Sequence, residues 1–290
     1  MKSIVELTHS FNKHASDYEI EAKVQLEIGQ RLLSRLDYIK ISPRTILDIG
    51  CGPGTFLLQL AERYPNAEIV GLDLSHSMLS IAQTKQLSPQ AWQVVNADMH
   101  GMPFVDNQFD LIFSNQALHW AHSLPVVLKE WQRILRPEGC LLFSTLGPDT
   151  FQELRYAFQQ VDVHAHVNSF DDMHHIGDGL LSQAFVDPVV DMEKIVAHFP
   201  SLPQMLRSIK SQGVRNIHSN RRSGLMGKKG WQKFEECMAL MRTAEEKYPL
   251  TYEVIYGHAW KSAYQSVTKG SEFTISIADL RASLLSQRKS

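Results

Sequence analysis

The sequence predicts an α/β fold: a doubly wound, mostly parallel seven-stranded sheet, with a helix ahead of it and a helical insertion near its end. Three observations predict it. Short apolar runs alternate with segments of helical period from Thr45 to Thr145. The first apolar run passes through three closely spaced glycines straight into a helix. Polar residues, Asp48, Asp73, Asp98 and Asn115, stand at four successive strand ends, along the edge where open α/β sheets bind ligands.

Residues 1–40 read as helix. Phe11, Ala15, Tyr18, Ala22 and Gln25 recur at intervals of three or four and so share a face. Two roles stay open for that face: packing on the core, or a lid with Tyr18 and Gln25 closing on a ligand. Ile46 to Ile49 is a strand buried on both sides. Gly50, Gly52 and Gly54 follow at every second position, and without a Cβ they let backbone approach a ligand closely. Thr55 to Arg63 is a helix whose first turn offers unpaired N–H groups. The dinucleotide fingerprint Gly-x-Gly-x-x-Gly is not met, because Thr55 holds its sixth position. Asp48, inside the strand just before the glycines, can receive a cationic ligand end such as an α-amino group.

The second strand, Ala67 to Leu72, ends at Asp73 and Leu74. That acid lies about twenty residues past the glycines, where it can accept from both hydroxyls of a ribose. Ser75 reads as the cap of the next helix, in which Met78 and Leu79 either flank an adenine ring or pack as core. The third strand, Trp92 to Val95, runs into Ala97, Asp98 and Met99, and Asp98 can accept from an adenine amino group. Asn107 to Phe113 is the fourth strand, continuing through Asn115 and Gln116 to His119 and Trp120. A helix over Ser123 to Leu135, a turn over Arg136 to Gly139 and a fifth strand over Cys140 to Thr145 come next. Asp149 or Thr150 then caps a helix, Asn168 to Gln183 forms another, and Phe185 to Phe199 pairs antiparallel with Thr251 to Trp260. The chain thus divides into a lid segment (1–40), an α/β core (41–200), an insertion (201–249), the last core strand (250–265) and a peripheral tail (266–290).

Composition narrows the function. The apolar fraction of 43% supports a sizeable core, and a net charge of −2 points to neither nucleic acid nor membrane. Three widely spaced cysteines fit a reducing compartment, and no signal peptide or membrane-spanning run is legible, so a cytoplasmic protein is expected. From Lys194 to Phe234 there is no Asp or Glu but nine Lys and Arg, among them Arg207, Lys210, Arg221 and Arg222. That segregated charge is either a solvated face or a dock for a polyanion. Stacking aromatics for nucleic acid are sparse there, so an acidic protein fits at least as well. The pairs His164/His166 and His174/His175 lack a third ligand at metal spacing, and no metal is expected. Asn115-Gln-Ala-Leu118 is not the Asn/Asp-Pro-Pro-aromatic signature of nucleobase amine methylation.

Leu-Asp-Ile-Gly-Cys-Gly-Pro-Gly54 resembles the first motif of class I S-adenosylmethionine (AdoMet) methyltransferases. Longer stretches resemble one branch of them, the malonyl-[acyl-carrier-protein] O-methyltransferases of biotin synthesis (BioC type). They are Phe11-x-x-x-Ala15-x-x-Tyr18-x-x-x-Ala22-x-x-Gln25, Phe109 to Trp120, Phe143 to Leu154, Met205 to Gly213 and Tyr248 to Trp260. The resemblance implies AdoMet as methyl donor and the free carboxylate of malonyl-acyl carrier protein as acceptor. It implies Tyr18, Gln25, Asp48, Gly50, Gly52, Gly54, Asp73, Leu74, Met78, Ala97, Asp98, Met99 and Asn115 on the cofactor. On the substrate side it implies Gln116, His119, Trp120, Arg207, Lys210, Arg221 and Arg222.

The residues themselves agree in two respects. No general base is evident, and none is needed: a carboxyl of pKa about 4 is already ionised at neutral pH. The basic insertion suits an acidic carrier protein, although Arg207 or Lys210 could instead hold the malonyl carboxylate. Tyr18 is expected to orient substrate or order the lid. Two alternatives remain open at this point: methylation of a small quinone or lipid precursor, and an assembly factor of this fold that transfers no methyl group.

Overall fold

The computed structural model describes residues 4–15, 18, 22–86, 91–211, 226–263, 267–269 and 272–274. One seven-stranded sheet runs through it in the order β3-β2-β1-β4-β5-β7-β6. Its strands are β1 (Thr45–Ile49), β2 (Glu68–Asp73), β3 (Gln93–Asn96), β4 (Phe109–Asn115), β5 (Leu135–Leu146), β6 (Phe185–Phe199) and β7 (Tyr248–Lys261). The first five are mutually parallel, and β7 pairs antiparallel with both β5 and β6. The doubly wound sheet and its antiparallel pair are as the sequence predicts. A short hairpin of β8 (Val267–Lys269) and β9 (Glu272–Thr274) lies outside this sheet.

The helices are α1 (Ile4–His14), α2 (Lys23–Ser34), α3 (Thr55–Arg63), α4 (His76–Thr84), α5 (Leu124–Ile134), α6 (Gln152–Gln159), α7 (Met173–Ser182), α8 (Leu202–Ser211) and α9 (Lys228–Ala239). They bury apolar stripes on both faces of the sheet. One cluster joins Ile28 and Leu32 of α2, Leu57 and Leu60 of α3, Met205 of α8 and Phe234 and Met238 of α9 to β1, β4 and β7. The other joins Leu128 and Trp131 of α5 and Ile176 and Leu180 of α7 to Ile112, Leu141 and Ile255. Each such side chain contributes roughly 1.5–3 kcal/mol on burial.

Edge strand β6 is different. Of its fifteen residues only Phe185 is fully buried, and the rest alternate between half-buried and exposed. Its pairing with β7 slips between Val186 and Val189, where Asp187 takes φ 49° beside Pro188. Asp191 and Glu193 stand on one side of it and bind Arg35 (2.9 Å) and Arg31 (2.5 Å) at the end of α2. The Arg35 guanidinium also lies 4.1 Å over the Tyr256 ring of β7.

Several expectations are corrected. The N-terminal segment is not one helix: α1 ends at His14 and α2 begins at Lys23. Arg136 to Gly139 is not a turn before a strand but a loop-out within β5, with Glu138 at φ 62°. It arises because four residues of β5 face one of β4 between the Phe109–Leu135 and Leu111–Cys140 pairs. Neither Asp149 nor Thr150 caps α6, because Thr150 Oγ1 is taken by the backbone of Glu253 and the Asp149 carboxylate by Lys194. Phe151, at φ 60°, occupies the cap position instead. The helix expected from Asn168 starts at Met173, where Asp172 accepts from the His175 N–H. The tail beyond residue 274 lies outside the described residues.

Candidate active site

The carboxyl ends of β1, β2, β3 and β4 form one rim. Two adjoining cavities open there, and they share Tyr18, Gln25, Gly50, Gly52 and Asn115 as walls.

The glycine turn shapes the floor. Gly50, Gly52 and Gly54 have φ of 75°, 52° and 80°, all in the left-handed region that side chains resist. Their surroundings differ. A Cβ on Gly50 would lie 2.5 Å from Ala117 Cβ, and one on Gly54 2.8 Å from Ala82 Cβ. A Cβ on Gly52 would meet nothing within 4 Å, because it would project into the cavity. Gly54 lines neither cavity; its task is the close seat of α3 against α4, a correction to its expected contact with a ligand.

Asp48 is buried at 1% exposure, and its Oδ2 accepts no hydrogen bond. Burial, with the Asp73 charge adding to it, pushes its carboxyl well above the usual range. An isolated buried carboxylate is costly, and a cationic ligand group would relieve it. Asp73 is better supported. Its Oδ2 accepts from the Gly52 N–H (2.9 Å) and its Oδ1 from the Ser75 N–H (2.7 Å). Burial nevertheless raises it, against the pull of those backbone donors. It ties the glycine turn to the end of β2 and keeps lone pairs for ribose hydroxyls. Leu74, Met78, Ala97, Asp98 and Met99 complete this half of the larger cavity, while Leu79 is buried core and lines neither.

The N-terminal helices form the wall above. Tyr18 and Gln25 line both cavities, as the lid assignment requires. Burial, reinforced by the Asp73 charge, raises the Tyr18 phenol and keeps it protonated. α1 is tethered at two points. Asn12 Oδ1 accepts from Ser75 Oγ (2.6 Å) and the Ser77 N–H (3.2 Å), and Phe11 meets the Trp120 ring edge-on at 5.5 Å. α2 is no mobile flap: Ile28, Gly29 and Leu32 are buried, and a Cβ on Gly29 would fall 2.0 Å from Phe56. α2, which carries Gln25, thus has a packing role.

The opposite half is neutral and aromatic. Asn115 Oδ1 accepts from Ser144 Oγ (2.7 Å) and its Nδ2 donates to the Gln25 carbonyl (3.2 Å). Gln116 sits at φ 57° with its Nε2 buried and unpartnered, and His119 Nδ1 is likewise buried without a partner. Desolvation holds the His119 imidazole down to about 3, so it is neutral at physiological pH. Trp120, Leu146, Phe151 and Tyr252 close this end, Phe151 meeting Tyr252 edge-on at 5.0 Å.

Arg207 and Lys210 do not belong to the site. Both are exposed on α8 and line no cavity, which corrects the idea that one of them holds the malonyl carboxylate. Arg221 and Arg222 lie outside the described residues. Among the described residues no group of three or more His, Cys, Asp or Glu is placed to hold a metal ion. Phe151, Tyr252 and Asn12 were not anticipated. The rule that loops after parallel strands border the site could have found Phe151, but nothing local marks Tyr252 or Asn12.

Comparison with known proteins fits this geometry. Residues 47–143 match the model of a methyltransferase domain. The chain is 53% identical to a malonyl-[acyl-carrier protein] O-methyltransferase of Legionella pneumophila, over 94% of this chain and 96% of the relative. The chain belongs to the malonyl-[acyl-carrier protein] O-methyltransferase family. A further member, from Gallionella capsiferriformans, is 41% identical over 89% of this chain and 90% of its own. The YcgJ protein of Bacillus subtilis superposes with a TM-score of 0.58 at 13% identity, over 80% of this chain and 97% of its own, which shows the fold. For a methyltransferase of this family the donor is AdoMet, and the site fits it. The unpartnered Asp48 suits an ammonium, the open side of Gly52 a close-lying backbone contact, and Asp73 a diol.

Proposed function

We propose that this methyltransferase esterifies the free carboxylate of a malonyl group carried as a thioester on acyl carrier protein, yielding the methyl ester used to build the pimeloyl part of biotin. One observation carries the reading: the acceptor half of the cavity holds two buried, unpartnered neutral groups, Gln116 Nε2 and His119 Nδ1, and no carboxylate among its lining residues. Bound AdoMet would supply a methyl group made electrophilic by its sulfonium charge.

The residues supply position and environment. Asp48 would hold the ammonium, Gly50 and Gly52 the adjoining chain, Asp73 the ribose, and Met78 with Ala97 to Met99 the base. Gln116 and His119 would orient the malonyl carboxylate through neutral donors. A neutral donor aligns an anion without the grip of a guanidinium, which would lower its nucleophilicity. Trp120, Phe151 and Tyr252 exclude water, so a weak nucleophile reacts from an aligned and desolvated state. No proton has to move, because the acceptor is already ionised at neutral pH. Tyr18, kept protonated, would order the lid rather than act as a base.

The carrier protein would dock on the exposed cations of α8 and α9: Arg207, Lys210, Lys228, Lys229 and Lys233. The opposite sides of these helices, Met205 and Phe234 among them, are fixed in the core, so the charges point outward from a rigid base. A cytoplasmic setting agrees with three free cysteines, and no helix among the described residues is long and apolar enough to cross a membrane.

The decisive test uses labelled AdoMet with malonyl-, succinyl- and acetyl-acyl carrier protein. Label should enter the malonyl group as a base-labile ester and leave acetyl untouched. Tight binding of S-adenosylhomocysteine without transfer to any acyl group would refute the assignment of the reaction.

A further inference from the structure

Asp98 stands at the cavity, and its carboxylate is organised by a single neighbour. The His100 backbone N–H donates to Asp98 Oδ1 at 3.0 Å, and His100 Nδ1 lies 2.6 Å from the same oxygen. The other ring nitrogen is also engaged: the His122 backbone N–H donates to His100 Nε2 at 3.2 Å. A nitrogen that accepts from an amide carries a lone pair and no proton. The proton of the neutral ring is therefore on Nδ1, aimed at Asp98. The His122 ring stacks on that of His100 at 3.7 Å and 22°, which fixes the ring plane.

Both donors fall on Oδ1, and no described residue donates to Oδ2. Asp98 thus has one oxygen pinned and one left for a ligand N–H. We propose that His100 is a positioning residue for adenine recognition: held as its Nδ1–H tautomer by the His122 amide, it orients Asp98 so that the free oxygen accepts from the exocyclic amino group of the cofactor. The inference rests on the cofactor placement given above and adds a residue that touches neither cofactor nor substrate. Asp98 is held below the usual carboxylate range although burial opposes it, because the hydrogen bonds from the His100 amide and ring outweigh that burial. The acceptor is then an anion, which strengthens its bond to an amino group.

The test separates donor from ring. His100→Phe keeps an aromatic plane against His122 and loses the donor, whereas His100→Asn keeps a donor near the Nδ1 position and loses the ring. Affinities for S-adenosylhomocysteine and for its analogue lacking the 6-amino group would be measured by calorimetry on the full chain. The native protein should prefer the amino compound about ten-fold or more, the scale of one hydrogen bond to a charged group. His100→Phe should shrink that preference to about three-fold or less while still binding the analogue, and His100→Asn should retain most of it. An unchanged preference in His100→Phe, or equal loss for both ligands, would overturn the role of His100. If Asp98→Asn keeps the full preference, the adenine placement itself fails, even where methyl transfer to malonyl-acyl carrier protein is intact.

Discussion

Asp48 and His119 are buried in the two adjoining cavities and bear opposite costs. The Asp48 carboxyl is raised by burial and by Asp73. The folded state therefore keeps a proton that the unfolded chain loses near 3.8, so ligand-free stability falls as pH rises from that value toward the folded pKa. His119 is lowered by desolvation from 6.5 to about 3, so folded protein resists protonation and stability falls as pH drops below 6.5. Asp48→Asn should raise the melting temperature of the ligand-free protein at neutral pH and weaken S-adenosylhomocysteine by roughly 10–100-fold, the scale of a buried charge pair. A variant that binds as tightly as the native protein would remove Asp48 from the site. His119→Phe should cut kcat/KM for malonyl-acyl carrier protein about ten-fold with cofactor affinity unchanged, on the scale of one lost hydrogen bond. The native kcat should stay flat from about pH 5.5 to 8, since a carboxylate acceptor and a neutral His119 do not titrate there. A bell-shaped profile in that window would reveal a base. Asp48 and Asp73 were legible in the sequence because strand ends in this fold point at ligand. The tautomer of His100 was not, because it depends on an amide from Ala121-His122, contributed by a different loop.

At the scale of elements, the N-terminal segment divides its labour. α2 is fixed by burial and by Arg31 and Arg35, whereas α1 leans on the mouth of the site through Asn12 and Phe11. Asn12 also completes the start of α4, taking the Ser77 N–H while Ser75 Oγ takes that of Met78. Asn12→Ala should therefore speed dissociation of S-adenosylhomocysteine about 5–10-fold in stopped-flow measurements, with little change in global stability. Gly29→Ala should act differently. Its Cβ would press on Phe56 and Asn115 beneath the glycine turn, costing roughly 1–3 kcal/mol of unfolding free energy and weakening the cofactor together with it. A fully stable Gly29→Ala protein would show that α2 can slide. The helical period of Phe11 to Gln25 made a shared face legible, yet the helix is interrupted at Ala15 and at Ala22, while Tyr18 between them is helical. Periodicity survives such a break, so it cannot locate one. The capping of α6 failed for a related reason: Asp149 and Thr150 are good cap residues, but Lys194 and Glu253, distant in sequence, claim them first.

Across the whole molecule, a chain of net charge −2 exposes five cations, Arg207, Lys210, Lys228, Lys229 and Lys233, on the outer sides of α8 and α9. Such a surface acts mainly on association rate and partner choice. Replacing Arg207, Lys210, Lys228 and Lys229 by Glu should raise KM for malonyl-acyl carrier protein at least ten-fold at low salt, reduce its dependence on ionic strength, and leave S-adenosylhomocysteine affinity intact. Unaltered KM would direct the search for the docking surface elsewhere. The parallel sheet was legible because strand and helix patterns alternate along most of it, whereas its order was not, and β3 runs to β4 without a helix between them. The route of β7, which brings Tyr252 to the cavity from the antiparallel side, follows only from long-range pairing with β5 and β6.

The outermost strand, β6, ends the sheet with a row of backbone groups that no other strand among the described residues claims. Long borders of this kind invite the borders of other molecules to zip onto them. Here the kink at Asp187-Pro188 breaks the row, and the carboxylates of Asp191 and Glu193, clasped by α2, place charge where a flat apolar stripe would otherwise run. The arginines that seat α2 beside the cofactor thus also keep the protein's raw margin from becoming a seam between copies.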